Sequence, residues 1–225
     1  MAYVYLIGSG IVAVFWFIFY FLREDLRKKI LLTSIIGGLS GVTEIFFVPV
    51  YWNPQFQVVK ILDMLFLESF IFAFFLAGFS AVIFQVLSGK PIYNVQKIRI
   101  ELLLVAPVIF LFHPLFPEIS VMVFSFGSMF FGAFLFYLAE KKFGTAMLFN
   151  GFLTFAFFLI MYAVFWNLFP SLAASYNYVS LSGVAILGIP IEELLFFFAV
   201  GTYFCVVYEI LKKSKLKEYL SIFYD

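Results

Sequence analysis

One cysteine and one histidine stand among 225 residues. Cys205 alone allows no intrachain disulfide, and neither a CxxC motif nor a Cys/His metal set can be assembled, so no metal site is expected. Charge is scarce as well. Asp, Glu, Lys and Arg make up 12% of the chain, about half of what a soluble domain carries. The balance is near neutral, 14 basic against 13 acidic residues, which leaves no footprint for nucleic acid. Neither GxGxxG nor a P-loop pattern occurs, so no nucleotide cofactor is expected. The start, Met1-Ala2-Tyr3, lacks the basic region of a signal peptide, and its apolar run reads as a retained first span. His113, just before Pro114, reads as a turn residue.

What the chain has in abundance is apolar surface: 65% of residues are hydrophobic and the mean hydropathy is +1.10. A soluble fold of this length cannot hide so much, so the bilayer is the expected solvent and the class is an all-α polytopic membrane bundle. A helix needs about 20 mainly apolar residues to cross the hydrocarbon. About seven segments qualify, near 3–22, 30–50, 61–87, 98–114, 118–139, 146–169 and 185–211. The fourth and fifth meet in a tight turn at His113-Pro114-Leu115-Phe116-Pro117-Glu118, where two prolines interrupt helix; a six-span arrangement with a re-entrant piece is the alternative.

Basic residues set the expected orientation. Arg23, Arg27, Lys28 and Lys29 fall in the first connection, Lys90, Lys97 and Arg99 in the third, Lys141 and Lys142 in the fifth, and Lys212, Lys213, Lys215 and Lys217 in the tail. Only Lys60 lies on the other side. The positive-inside rule then places the N-terminus outside and the C-terminus in the cytoplasm, which requires an odd number of spans. Tyr51, Trp52, Trp166 and Tyr176 fall near outer ends, where amphipathic rings prefer to sit.

Most acids need no special account. Glu24, Asp25, Glu118, Glu140, Glu218 and Asp225 lie in connections or the tail, and Glu101 and Glu209 lie within reach of Arg99 or Lys212. Five others, Glu44, Asp63, Glu68, Glu192 and Glu193, fall within apolar segments with no basic residue expected at their depth. A carboxylate there costs about 2.5–3.5 kcal/mol even on lenient insertion scales, so such groups face the bundle interior and read as functional. Without a base beside them they either hold a proton, since desolvation and mutual repulsion both disfavour the charge, or bind a cation. Interhelical hydrogen bonding is the competing structural role. Taking the run of each span into account, Glu44, Glu68 and Glu192 fall in one layer toward the outer leaflet. Glu192 and Glu193 differ by about 100° around a helix, so one can face a cavity while the other turns to a neighbour. The 36 phenylalanines suit lipid contact, and ring faces are also what a carbocation needs.

A weak duplication runs through the chain. Asp63-Met64-Leu65-Phe66-Leu67-Glu68-Ser69-Phe70-Ile71-Phe72 opens the third span and Gly188-Ile189-Pro190-Ile191-Glu192-Glu193-Leu194-Leu195-Phe196-Phe197 the seventh. Both carry a glutamate followed four residues later by phenylalanine, Glu68–Phe72 and Glu192–Phe196. Each follows a connection rich in aromatic and turn residues, Tyr51-Trp52-Asn53-Pro54 and Tyr176-Asn177-Tyr178. The expected organisation is two tandem three-span repeats of the same orientation, 1–90 and 118–225, joined by a linking span in 91–117.

The second element, with Pro190-Ile191-Glu192-Glu193-Leu194-Leu195-Phe196-Phe197, resembles the Pro-x-Glu-Glu-x-x-Phe-Phe signature of the lycopene cyclase domain family. That family includes the heterodimeric bacterial carotenoid cyclases, their fused archaeal form and the cyclase half of the fungal bifunctional enzyme. Tyr51-Trp52-Asn53-Pro54 and the tandem arrangement are similar to it too. In the first copy Phe66 stands in place of the proline and Ser69 in place of the second glutamate. The resemblance implies cofactor-independent, non-redox cyclisation of an acyclic carotenoid end group: a proton adds to the terminal double bond, the cation closes to a ring, and a neighbouring proton leaves. It implies Glu192 or Glu193 as general acid, with Glu68 or Glu44 completing the carboxyl pair or receiving the proton. Phe196, Phe72, Trp52, Tyr176, Asn177 and Pro190 are the expected substrate-binding residues. The expected partners are a lipophilic polyene and membrane lipids, with oligomeric state left open and a prokaryotic plasma membrane as the expected location. The rival classes are a proton-coupled transporter, since intramembrane acids also mark ion pathways, and another non-redox membrane terpenoid cyclase or hydratase.

Overall fold

The computed structural model describes residues 3–90 and 98–213. Lys97, Lys215, Lys217, Glu218 and Asp225, invoked above, lie outside the described residues. Among these, six helices are long and apolar enough to cross a membrane: α1 (Val4–Leu22), α2 (Glu24–Phe47), α3 (Leu67–Ser88), α5 (Val121–Ala139), α6 (Phe143–Leu168) and α7 (Ile191–Lys213). A shorter apolar helix, α4 (Ile100–Leu115), lies between α3 and α5. The protein is an all-α integral membrane bundle.

Two short hairpins replace the expected first turns of the third and seventh spans. Strands β1 (Lys60–Leu62) and β2 (Leu65–Phe66) pair before α3, and β3 (Ala185–Ile186) and β4 (Ile189–Pro190) pair before α7. Hydropathy does not distinguish a short apolar strand from helix. Turn chemistry decides instead: Leu187 and Gly188 both have positive φ, 52° and 80°, as a tight two-residue hairpin turn demands. The first hairpin carries Asp63 out of the bundle, where it forms a 2.8 Å ion pair with Lys60. Asp63 is therefore not an unpaired intramembrane acid; hydrogen bonding to Lys60 holds its carboxyl below the usual range.

Contacts along the helices give their directions. Gln85 of α3 and Glu209 of α7 both meet Lys29, while Glu68 and Glu193 at their other ends line one cavity, so α3 and α7 run parallel. Phe130 meets Phe198 and Phe136 meets Tyr203, making α5 parallel to α7. Phe158 stacks on Phe197, while Asn150 reaches Gly201, making α6 antiparallel. In the other half, α2 is antiparallel to α3, with Gly41 against Phe70 and Gly37 against Ala77. Since α3 ends at the Lys29 end and α5 begins at the cavity end, the chain between them must return across the bundle. Helix α4 makes that return. Tyr203 Oη donates to Leu103 O (2.7 Å) midway, and Phe110 reaches the cavity end against Phe46 and Phe47. Much of α4 is 3-10 helix, whose rise of about 2.0 Å per residue stretches it toward the ~30 Å needed. The bundle is thus traversed seven times, with Val4 and Lys213 at opposite ends.

Helices α3 and α7 form the spine, and two polar staples tie it together. Asn150 on α6 stands in for a helical hydrogen bond of α3: its Oδ1 accepts from Phe84 N (3.0 Å), while its Nδ2 donates to Ser80 O and to Gly201 O of α7. Lys29 is not in the connection where hydropathy placed it. It is 2% exposed, and its Nζ donates to Gln85 Oε1 (2.7 Å), Cys205 O (2.5 Å) and both carboxylate oxygens of Glu209 (2.9 and 3.0 Å). Glu209 accordingly pairs with Lys29 rather than Lys212, whereas Glu101 pairs with Arg99 as expected, at 3.6 Å.

Breaking a buried pair from one side leaves an uncompensated charge at a cost of about 3–5 kcal/mol. Lys29→Met is therefore expected to lower the melting temperature in detergent sharply. Lys29→Met combined with Glu209→Leu should recover most of that loss, as read by thermal unfolding of the purified variants.

Candidate active site

At the end of the bundle opposite Lys29, the first turns of α3 and α7, the ends of α2 and α6 and the start of α1 enclose a cavity of about 250 Å3. Its wall is mainly aromatic and aliphatic, and among the described residues no lysine, arginine or histidine lines it. Glu44, Glu68 and Glu193 do, together with Phe72, Phe196, Trp52 and Tyr176. Glu192, Asn177 and Pro190 do not. Three helices thus bring Glu44, Glu68 and Glu193 to one cavity, whereas the layer expected from span depth held Glu192 in place of Glu193.

The four glutamates are held in two different ways. Glu68, at the second residue of α3, is 2% exposed, and its Oε1 accepts from the backbone N–H of Val58 (2.6 Å) and Val59 (3.0 Å). Glu192, at the equivalent position of α7, accepts from Ser182 N (2.6 Å). Both acids therefore tie down the connection that precedes their own hairpin. Glu44 does related work, its Oε2 accepting from Phe66 N (2.9 Å) and its Oε1 from Gln57 Nε2 (2.8 Å). In Glu68 and Glu192 the second oxygen, Oε2, is buried with no hydrogen-bond partner.

Glu193 is different. It is 5% exposed and holds no strap. Its Oε1 accepts from Tyr51 Oη at 2.7 Å, and the Tyr176 hydroxyl is a second hydrogen-bonding neighbour. Burial pushes both tyrosine hydroxyls well above the ordinary phenol range. The rings of Tyr51 and Tyr176 meet edge to face, 5.9 Å apart, and Trp166 packs on Tyr176 at 5.8 Å. Of the adjacent pair, Glu193 faces the cavity while Glu192 turns to the chain beside it, the division that 100° per residue allows.

Tyr51 did not stand out as a site residue in the sequence, because connections carry no periodicity that shows which way a side chain points. Its one signal was membership of the Tyr51-Trp52-Asn53-Pro54 element. Gln57 gave no signal. Asn177 is exposed and serves the backbone: its Nδ2 donates to Val50 O (3.0 Å) and its N–H to Tyr51 O (2.9 Å). Pro190 is buried in β4, paired with Ala185. Among the described residues, no cluster of three histidine, cysteine or carboxylate side chains is arranged to hold a metal ion.

A polytopic membrane bundle with carboxyls gathered in an aromatic cavity defines the class. The family model described as lycopene cyclase matches residues 118–211, the segment that contains Tyr176, Glu192, Glu193 and Phe196. No curated protein matches the chain. No solved structure matches it either.

If Glu68 pins the strap, Glu68→Ala should free the Val58 and Val59 amides. Hydrogen bonds to a charged group contribute about 1.5–3 kcal/mol, so amide exchange across 57–66 is expected to speed up about tenfold or more. Glu193→Ala should leave that segment unchanged in the same hydrogen–deuterium exchange experiment.

Proposed function

We propose that the protein closes the end ring of an acyclic, lycopene-type carotenoid by acid catalysis without redox chemistry. The carrying observation is Glu193: a carboxyl buried in an aromatic cavity, hydrogen-bonded by phenols, with no basic residue in the wall. Glu193 gives its proton to the terminal double bond of the polyene. The tertiary cation left behind is attacked by the π electrons of a nearby double bond, which forms the ring bond and moves the charge into the ring. A neighbouring C–H then loses its proton to Glu68, whose Oε2 has no other partner, and its electron pair becomes the new double bond. Substrate and product are isomers, so passage of that proton back to Glu193 resets the site. Phe72, Phe196, Trp52 and Tyr176 present ring faces to the cation. The cavity is somewhat below the size of sites that enclose a whole drug-sized ligand, which fits one end of a long chain with the remainder in the bilayer.

Two features of the reading come from elsewhere in the chain. The positive-inside rule puts the end bearing Arg27, Lys28, Lys141 and Lys142 in the cytoplasm, so the cavity lies toward the outer leaflet of a prokaryotic plasma membrane. The parallel run of α1–α3 and α5–α7 supports an internal duplication, with α4 as the link.

Expression in lycopene-accumulating cells followed by pigment chromatography tests the assignment. Wild type is expected to form ringed products. Glu193→Gln should lower ring formation by about a hundredfold or more, the usual scale for loss of a general acid, while Glu192→Gln, whose amide oxygen still accepts from Ser182, keeps most of it. Full activity in both variants would overturn the reading.

A further inference from the structure

Two connections cross over the outer mouth of the cavity. Segment Tyr51–Asn53 lies antiparallel to Ser175–Asn177, with Trp52 opposite Tyr176. Asn53 N donates to Ser175 O (2.6 Å) and Asn177 N donates to Tyr51 O (2.9 Å). The crossing carries both phenols that hold Glu193, one from each connection. The Asn177 side chain reaches across it: its amide Nδ2 donates to Val50 O at 3.0 Å and its Oδ1 accepts from Val179 N at 3.3 Å.

The magnitudes separate a stabilising role from a positioning one. An exposed hydrogen bond of this kind adds only about 0.5–1.5 kcal/mol to a fold, small for a bundle tied by Lys29 and Asn150. Yet Asn177 holds the carbonyl on either side of the Tyr51 Cα, Val50 O through its side chain and Tyr51 O through its N–H, beside the ring whose hydroxyl meets Glu193 at 2.7 Å. That ring is 2% exposed and wedged against Phe47 and Tyr176, so a shift of its backbone moves the hydroxyl rather than being absorbed by the side chain. Misplacement by about 1 Å at a reacting group can cost a hundredfold in rate.

We propose that Asn177 is a positioning residue for the acid: it fixes the Tyr51 backbone and so aims the Tyr51 hydroxyl at Glu193, without itself touching substrate. This rests on the reading of Glu193 as the acid. The consequence is that Asn177 acts through Tyr51 and has no effect of its own once that hydroxyl is gone.

A double-mutant cycle on the full-length protein in lycopene-containing proteoliposomes tests this. Asn177→Asp removes the amide donor while keeping the oxygen that accepts from Val179. It is expected to lower turnover about tenfold with half-saturation unchanged. Tyr51→Phe should lower turnover at least as much, and the double variant should match Tyr51→Phe alone. Multiplicative losses in the double variant, or wild-type turnover in Asn177→Asp, would overturn the proposal. A second readout does not depend on turnover. The infrared bands of the Glu193 carboxyl, identified by their loss in Glu193→Gln, should shift in Asn177→Ala in the same direction as in Tyr51→Phe, and an unshifted band overturns the proposal. Wild-type protein that forms no ring while the band shifts as described would sink the cyclase reading and leave the positioning role standing.

Discussion

A carboxyl inside a bilayer-embedded bundle needs hydrogen-bond donors, and among the described residues no cationic side chain lines the cavity to supply them. Backbone amides, phenol hydroxyls and the Gln57 side-chain amide are the donors left. Glu44, Glu68 and Glu192 take amides from Phe66, Val58, Val59 and Ser182, and Glu193 takes the Tyr51 hydroxyl. Each solution has a structural consequence. An amide can reach a buried carboxylate only if its strand or loop folds down over the helix end, so the acids at the starts of α3 and α7 shape the straps and hairpins before them.

The opposite end of the bundle meets the same constraint with the opposite choice. There a lysine is buried against Glu209, Gln85 and a backbone carbonyl, joining α2, α3 and α7. A complete set of partners makes this a fixed point, suited to anchoring the parallel pair α3 and α7 from below. The cavity end keeps unpaired oxygens on Glu68 and Glu192. Among the described residues, the buried carboxyl oxygens without a partner lie at the cavity end. Unsatisfied buried polar groups gather where a protein has a function for them.

The sequence carried the all-α membrane bundle and its long apolar helices, because these follow from hydropathy and helical rise. It misplaced what depends on partners across the fold. Lys29 looked like a connection residue because its neighbours are basic, and only Glu209 on α7 explains its burial. Asp63 looked intramembrane because Leu62, Met64, Leu65 and Phe66 are apolar, yet they form a hairpin whose turn lies in the open. The fourth crossing shows the converse. Its α-helical part is just Val105–Leu111, too short for a length criterion, yet the directions of α3 and α5 require it to traverse. Tyr51 was legible only as part of an aromatic element, since its role depends on meeting a helix far along the chain.

The two adjacent glutamates of α7 differ in the same way. Glu68 and Glu192 are each the second residue of their helix and accept amides from the connection before it, which accounts for both. The next position is free of that duty, and it holds Ser69 in α3 and Glu193 in α7. Both side chains line the same cavity. A carboxyl at each would add a further acid to a wall already carrying Glu44 and Glu68, and carboxyls crowded in a low dielectric cannot all be charged. A serine opposite one glutamate avoids that conflict. In the proposed reading, the departure of the first copy from the paired-glutamate pattern therefore belongs to the design: two similar halves enclose one cavity, and one of them supplies the acid.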